Sequence, residues 1–189
     1  MFDQPKKVAA LMREFEPNWF VAGGWAIDLF LEKETRTHED IEIAIFRRDQ
    51  SALHNYLRGW HLQKVENGIL FDWNDDDFLE LPIFEIHCFN EKNKLSRLEV
   101  LLNETNGKEW VFRRNEIITK PLSELHTESN NGIKFLRPEV VLLYKSKNPR
   151  EKDERDFQAA VNYLDNESKK WLINALSVCY SQHQWLQSL

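Results

Sequence analysis

The sequence has few cysteines, few turn-forming residues and no long apolar run. Its 189 residues include two cysteines, Cys88 and Cys179, too few for a disulfide framework and typical of a reducing compartment. Six glycines and six prolines leave little room for disordered linkers. No stretch approaches the roughly 18 apolar residues of a membrane-spanning helix, and the N-terminal segment lacks a signal-peptide core. We therefore expect a soluble cytoplasmic protein.

A surplus of positive charge is also lacking. The chain has 25 Lys and Arg against 31 Asp and Glu, a formal net charge of −6, and a pI near 5.6. Nucleic-acid binding usually requires a basic face, so a nucleic-acid partner is not expected. The length fits one domain, or one domain with a helical appendage, and 42% hydrophobic residues can form its core without a disulfide or structural metal. The oligomeric state stays open.

The hydrophobic pattern predicts a mixed α/β or α+β fold in two parts. Residues 1–135 alternate between helical and strand periodicity and then become rich in strands, whereas residues 136–189 are helical throughout. Predicted helices span 4–16, 25–33, 48–58, 138–147, 150–164 and 168–180. Predicted strands span 19–22, 40–46, 61–65, 69–73, 84–89, 97–102 and 109–114. We expect a mixed sheet flanked by helices and followed by a helical subdomain.

Two acidic residues, Asp40 and Glu42, begin a predicted strand with strict alternation. On a strand these positions project to one face about 7 Å apart, so their carboxylates could converge on divalent cations. Ala44 continues that face with a small side chain that leaves room for a ligand. The pair alone is not specific, because roughly five acidic pairs of this spacing are expected by chance in such a composition. The alternative is an ordinary strand with one wet face.

Gly23 and Gly24 stand between a short predicted strand and a helix. The first turn of a helix offers unpaired N–H groups to phosphate, and glycine lets the backbone come close to an anion. The segment matches neither a Walker loop nor the G-x-G-x-x-G pattern. A plain turn is the alternative.

Glu99 is the best candidate for a third carboxylate. It lies between apolar residues in a predicted strand, where a buried carboxylate is costly unless it is paired or bound to a metal. Glu85, on the strand before it, is a weaker rival. An exposed residue of an edge strand is the alternative for Glu99.

Four basic or titratable residues complete the candidate site. Arg36 and His38 precede the acidic strand, where Arg36 suits a phosphate contact and His38 could orient Asp40 or a phosphate. An exposed arginine and a loop-stabilising histidine are the alternatives. Lys145 and Lys147 end an apolar helix, and positions two apart on a helix point about 200° apart, so we favour Lys145 as a triphosphate contact. A surface role is the alternative for both lysines.

Several other features favour structural interpretations. His87 and Cys88 are adjacent on a strand and face opposite ways, so a shared zinc ion is not expected. Trp25 and Trp73 could line a pocket but fit core packing better. The acidic run 75–77 could attract a cationic acceptor, although such runs are usually only solvated. Charges in 150–157 are expected to pair along one helix.

The ordered set of residues resembles a known signature. Gly23-Gly24-Trp25, a short helix, and then Thr35, Arg36, His38, Asp40 and Glu42 match the pattern of DNA polymerase β-type nucleotidyltransferases. Within them the chain is most similar to the aminoglycoside and lincosamide nucleotidyltransferases, over about residues 18–160. Glu42 stands where many antibiotic-modifying members have aspartate.

The resemblance implies transfer of a nucleoside monophosphate, AMP above all, from a nucleoside triphosphate to a hydroxyl of a small molecule such as an aminoglycoside-like antibiotic. It implies two Mg²⁺ ions on Asp40, Glu42 and Glu99, with Glu99 as proton acceptor and ATP as the usual donor. Gly23, Gly24, Arg36, His38, Lys145 and Lys147 would surround the triphosphate. The alternatives are a toxin-like enzyme acting on protein or RNA, and an inactive nucleotide-binding protein in which Glu42 has replaced a required aspartate.

Overall fold

The computed structural model describes residues 1–93 and 95–189 and has the mixed α/β architecture that the sequence predicts. The helices are α1 (Asp3–Leu11), α2 (Gly23–Phe30), α3 (Gln50–Tyr56), α4 (Pro138–Lys145), α5 (Glu151–Ala160) and α6 (Asn166–Cys179). The strands are β1 (Trp19–Val21), β2 (Glu42–Phe46), β3 (His61–Glu66), β4 (Ile69–Asp72), β5 (Glu85–Phe89), β6 (Arg97–Asn106), β7 (Glu109–Val111), β8 (Thr119–Pro121), β9 (His126–Glu128) and β10 (Lys134–Leu136).

The strands form one mixed sheet in the order β4-β3-β5-β6-β2-β1-β10-β9, and β7 joins β6 to β8. Strand β2 pairs parallel with β6 and antiparallel with β1, so it lies in the middle of the sheet. Its residues 43–46 are all buried, because both faces are covered. The alternative interpretation, an ordinary strand with one wet face, is therefore wrong beyond the first residue of the strand.

The register of the central strands brings acidic residues together. Glu42 of β2 lies beside Glu99 of β6, and His87 of β5 lies on the other side of Glu99. Glu85, two residues before His87, is paired with Leu101. Side chains two residues apart on a strand share a face, so Glu85, His87 and Glu99 project to the same side of the sheet.

Several predicted boundaries are wrong. The strand predicted from Asp40 begins at Glu42, so Asp40 lies in the preceding loop. Helix α1 ends at Leu11 rather than Glu16, because Met12 begins a tighter turn in which the Phe15 amide donates to the Met12 carbonyl at 3.1 Å. The strand predicted to reach Arg114 ends at Val111, where a tight loop held by a hydrogen bond from the Phe112 amide to the Ile118 carbonyl takes over.

The C-terminal helices pack against one another and against α2. Pro138 starts α4 in its first turn as predicted, and residues 138–143 of this helix are all buried. Helix α6 is capped by Asp165, whose carboxylate accepts a 2.7 Å hydrogen bond from the Ser168 amide. Helices α4 and α5 both pack against α2, which places the C-terminal part next to the Gly23-Gly24 turn.

Strands β8, β9 and β10 were not predicted. Each has three residues, too few for a period-two pattern. Strand β10 also depends on a distant partner, since it pairs parallel with β1. In the described part of the chain, no helix combines the length and the apolar character needed to cross a bilayer.

Candidate active site

All the predicted site residues line one cavity of about 380 Å³ between the sheet, the start of α2 and the end of α4. The fold therefore brings together residues from three separate parts of the chain. The predicted residues on its wall are Gly23, Gly24, Arg36, His38, Asp40, Glu42, Glu99, Lys145 and Lys147.

The two glycines allow charged side chains to pack against the start of α2. Gly23 has a φ of +59°, and a Cβ there would lie 1.5 Å from Glu42 Oε2. A Cβ on Gly24 would lie 2.2 Å from Arg36 Nη2 and 2.6 Å from His38 Cε1. The chain's own side chains thus take the space that the missing methyl groups leave. A plain turn does not by itself explain why charged side chains pack so closely against both glycines. The role of the glycines in holding phosphate stays a prediction.

Arg36 is held in a buried ion pair. Its Nε and Nη2 donate to the two carboxylate oxygens of Asp156 at 2.8 and 3.0 Å, in a bidentate geometry. The Asp156 side chain is fully buried, and it also lies 3.0 Å from Lys145 Nζ. Burial raises the pKa of Asp156, but the hydrogen bond from Arg36 and the charge of Lys145 outweigh it and hold the pKa below its ordinary value.

The same ion-pair network continues to Lys145 and Asp153. Lys145 Nζ donates to Asp153 Oδ1 at 2.9 Å, and the backbone and side chain of Arg150 donate to Asp153 Oδ2. Burial opposes ionisation of Asp153, yet the hydrogen bonds from Arg150 and Lys145 lower its pKa to about 2. The prediction that the charges of 150–157 pair along one helix is confirmed for Arg150 with Asp153 and for Glu151 with Arg155. It is wrong for Asp156, whose partners Arg36 and Lys145 lie outside this helix.

His38 is fixed by Asp28 rather than by Asp40. A 2.6 Å hydrogen bond joins its Nε2 to Asp28 Oδ2, and its ring stacks on Trp25 with centroids 4.3 Å apart. Thr35 donates to the other oxygen of the fully buried Asp28 through its amide and its hydroxyl. Trp25 Nε1 in turn donates to the Asp40 carbonyl at 3.0 Å. These bonds fit the loop-stabilising alternative for His38, while its ring still lines the cavity.

Lys147 faces the cavity together with Lys145, contrary to the expectation that only one could. The expectation assumed a helix through both residues, whereas α4 ends at Lys145 and the chain turns before Lys147. The ammonium of Lys145 is shared between two aspartates. Lys147 has no carboxylate within 4.0 Å in the described part of the chain.

The carboxylates of the sheet face crowd one another. Burial raises the pKa of Glu42, and the nearby charges of Asp40 and Glu85 raise it further against the opposing effect of Lys145. Burial and the Asp40 charge also raise the pKa of Glu99, to about 7, although His87 partly opposes this. A bound cation would reduce the repulsion between carboxylates held together in this way.

A tight group of possible ligand atoms involves two residues that the sequence did not favour. Glu85, His87 and Glu99 each offer one atom, all within 4.8 Å of one another, and no other described residues form such a group. Asp40 and Glu42 line the same cavity but are not part of it. The sequence makes Glu85 a weaker rival because its strand borders turn-like residues, and it disfavours a His87-Cys88 zinc site because adjacent strand residues face opposite ways. It does not show the strand register that places His87 beside Glu99.

The sequence reasoning missed two arginines on the cavity wall. The Arg113 guanidinium carbon lies 3.3 Å from the centroid of the Phe84 ring, and burial lowers the pKa of this group. Arg114 donates to the Tyr144 carbonyl at 2.9 Å. The available signal was the consecutive Arg pair that ends the predicted strand 109–114. The acidic run 75–77 does not line this cavity, and neither does Trp73, which is buried as expected.

A comparison with known protein families supports this arrangement. The family model for aminoglycoside-2''-adenylyltransferase matches residues 6–109, more than half of the chain. Among curated proteins, none matches the sequence.

Solved structures share the fold at low sequence identity. A lincosamide adenylyltransferase, LnuA, bound to lincomycin is 17% identical with a TM-score of 0.57, over 83% of this chain and 94% of the other. The solution structure of the antibiotic-resistance factor ANT(2'')-Ia is 17% identical with a TM-score of 0.61, over 93% and 90%. The same factor in complex with adenylyl-2''-tobramycin is 15% identical with a TM-score of 0.58, over 92% and 95%.

The family match includes the glycine turn, Asp40, Glu42 and Glu99, which are the residues that the cavity brings together. The chain therefore belongs to the aminoglycoside-2''-adenylyltransferase family and is a nucleotidyltransferase with a mixed α/β fold.

Proposed function

We propose that the protein transfers AMP from ATP to a hydroxyl group of an antibiotic-like small molecule and releases pyrophosphate. The observation that carries this proposal is the parallel register of Glu42 and Glu99, which, together with Asp40, places three carboxylates on one cavity wall facing several cations. Such a wall suits a polyanionic nucleotide held with metal ions.

The residues fit divalent metal ions of the Mg²⁺ type. Asp40, Glu42 and Glu99 offer carboxylate oxygens, the ligands that Mg²⁺ prefers, and the pKa values of Glu42 and Glu99 are raised partly by unrelieved negative charge. We infer that these three residues hold two Mg²⁺ ions. When bound, such ions neutralise the triphosphate and acidify the attacking hydroxyl.

The nucleotide would be held by residues on both sides of the cavity. We assign direct phosphate contact to Lys147, whose ammonium no described carboxylate neutralises, and to the amides at Gly23 and Gly24. Arg36 and Lys145 support this side of the cavity, and ion pairs with Asp156 keep both in place. His38 supports the same wall through its contact with Asp28.

Glu99 is the proposed general base. Its carboxylate lies beside Glu42 on the cavity wall and can accept a proton from a hydroxyl bound there. The side chain is partly buried but still reaches the cavity, so an acceptor hydroxyl has access to it. We therefore assign to Glu99 the proton of the attacking hydroxyl.

The acceptor classes suggested by the relatives differ in charge. One relative was solved with lincomycin, and another with an adenylylated tobramycin. Arg113 and Arg114 add positive charge to this cavity. Glu85, which contacts His87, is the one carboxylate on the described cavity wall outside the proposed Mg²⁺ ligands and the pairs with Lys or Arg. This balance favours an acceptor with few amino groups, such as a lincosamide, over a polycationic aminoglycoside.

The test is an acceptor panel with ATP and Mg²⁺, in which pyrophosphate release and the mass of each antibiotic are measured. We expect one or more lincosamides or aminoglycosides to gain one adenylyl group, with lincosamides turned over faster. Label from ATP appearing in protein or RNA instead would favour the toxin-like alternative. A thermal shift with Mg-ATP but no product in any arm would favour an inactive nucleotide-binding protein.

A further inference from the structure

A second potential metal site lies beside the proposed Mg²⁺ ligands, on strands β5 and β6. Glu85 and His87 occupy alternate positions of β5, and Glu99 is the cross-strand partner of His87. His87 Nε2 lies 2.8 Å from Glu85 Oε1 and 3.9 Å from Glu99 Oε1. Their side chains are 28%, 18% and 22% exposed for Glu85, His87 and Glu99, so the cluster is partly desolvated yet open to solvent.

The spacing of these atoms fits a shared ion. Ligands at about 2.1 Å from a metal lie roughly 3 to 3.5 Å from each other, and the two observed distances fall on either side of that range. Small side-chain rotations would therefore complete the shell. The three residues come from two adjacent strands of the central sheet, which is a rigid support for a metal site.

The donor set determines the class of ion. Mg²⁺ prefers oxygen ligands, whereas an imidazole nitrogen favours first-row transition metals, whose affinities rise from Mn²⁺ toward Cu²⁺. We propose that Glu85, His87 and Glu99 bind a divalent first-row transition metal ion such as Mn²⁺ or Zn²⁺. The cluster differs from an acidic patch because a nitrogen donor lies between the two carboxylates.

The surroundings of the cluster permit this. His87 and Glu99 also line a second cavity, of about 180 Å³, which provides access from solvent. The positive group nearest this cavity, Arg97, has its guanidinium carbon 5.3 Å from the Phe89 ring centroid. Glu99 lines both cavities, and its Oε1 lies 3.9 Å from His87 Nε2. A carboxylate has two oxygens and can bridge two ions, so Glu99 can serve both this site and the proposed Mg²⁺ site.

The inference goes beyond the proposed function and does not require it, because it is tested on nucleotide-free protein. Metal-depleted protein is titrated with Mn²⁺ while the electron paramagnetic resonance signal of free Mn²⁺ is followed. Electron spin echo modulation then shows whether the bound ion has a nitrogen ligand. We expect bound Mn²⁺ with ¹⁴N coupling typical of one imidazole.

Three variants locate the ion. His87→Gln should remove the ¹⁴N coupling and weaken Mn²⁺ binding about 10-fold to 100-fold, whereas Glu85→Gln should weaken binding but keep the coupling. His61→Gln is the matched control, because His61 also pairs with a carboxylate across two strands, at 2.8 Å from Asp72, but belongs to no group of three possible ligands among the residues that the structure describes. Circular dichroism of each variant checks folding.

Several outcomes would overturn the inference: no Mn²⁺ bound to the wild-type protein, bound Mn²⁺ without ¹⁴N coupling, or a coupling that survives His87→Gln. The first two would leave the Glu85–His87 contact as a structural ion pair only. AMP transfer with Mg²⁺ is measured on the same preparations, so loss of the proposed function and loss of this site are read separately.

Discussion

The two sides of the 380 Å³ cavity differ in whether their buried charges are paired. On the paired wall, cations and carboxylates neutralise each other within hydrogen-bonding distance. On the carboxylate wall, acidic groups raise one another's pKa values. The paired wall consists of Asp28, Thr35, Arg36, His38, Lys145, Asp153 and Asp156. The carboxylate wall consists of Asp40, Glu42, Glu85 and Glu99.

This difference suggests that the paired wall supports the fold of the site, whereas the carboxylate wall binds the cations that the reaction needs. A buried ion pair is costly to break but has no remaining need for a ligand, so the paired wall acts as a rigid frame. A crowded set of carboxylates is unfavourable by itself and becomes favourable when a cation binds. Substitutions on the two walls should therefore change different measurements.

The largest loss of stability is expected for Asp156→Ala on the paired wall. This change leaves Arg36 and Lys145, which are 15% and 10% exposed, without a shared carboxylate. We expect the free energy of unfolding to fall by about 3 to 5 kcal/mol in urea denaturation. Glu151→Ala, which removes an exposed partner of Arg155 on the same helix, should cost less than about 1 kcal/mol. Equal losses for the two variants would mean that the paired wall is not a frame.

The opposite behaviour is expected for Asp40→Asn on the carboxylate wall. We expect kcat/KM for AMP transfer to the best acceptor to fall about 10²-fold to 10³-fold, as for loss of one electrostatic catalytic group. The metal-free protein should be as stable as wild type or more stable, because the Asp40 charge raises the pKa of both Glu42 and Glu99. Asp76→Asn, on the exposed acidic run, is the control and should change neither kcat/KM nor the stability of the metal-free protein. Retention of full activity would remove Asp40 from the site.

A glycine substitution tests how closely Glu42 of the carboxylate wall packs against the start of α2. Gly23→Ala places a methyl group on Glu42 at a backbone φ of +59°, whereas Gly107→Ala has the same φ with nothing within 4 Å. Both changes should cost about 1 to 2 kcal/mol for the left-handed backbone. Gly23→Ala should lose about 1 to 2 kcal/mol more because Glu42 must move, and it should also lower AMP transfer. Indistinguishable variants would show that Glu42 rearranges freely.

The smallest effect concerns pH. The pKa of Glu99 is raised from 4.5 to about 7 in the folded protein, so the folded state retains a proton that the unfolded state has lost between these values. The free energy of unfolding of metal-free protein should therefore fall by about 1 to 2 kcal/mol as the pH rises from about 4.5 to about 7. Glu99→Gln, which has no proton to lose, should remove this part of the slope. If Glu99→Gln leaves the pH dependence of the free energy of unfolding unchanged, groups other than Glu99 cause it.

The part of the site that is local in sequence could be predicted. The glycines, the loop and the first carboxylates lie within twenty residues, so their order and spacing carried the family resemblance. Helix α4 was found because Pro138 marks its start and its apolar run is continuous. These features depend on short-range rules of periodicity and capping.

The part that depends on distant pairing could not be predicted. The partnership of His87 with Glu99 follows from strand register, which is fixed by the packing of the whole sheet. Asp156 was assigned to a helix surface because its partner Arg36 is 120 residues away. Lys147 was misjudged because the end of α4 decides its direction, and helix ends are the least certain feature of a periodic pattern.

The separation between Arg36 and Asp156 also has a consequence for synthesis of the chain. At about 5 to 20 residues per second, the ribosome needs roughly 6 to 24 s to make the 120 residues between the two partners. During that interval the arginine that packs against Gly24 has no buried carboxylate to hold it. The paired wall can therefore form only after helix α5 has left the ribosome. A nascent chain that stops earlier lacks Asp156 and exposes the unpaired Arg36 region to chaperones and proteases.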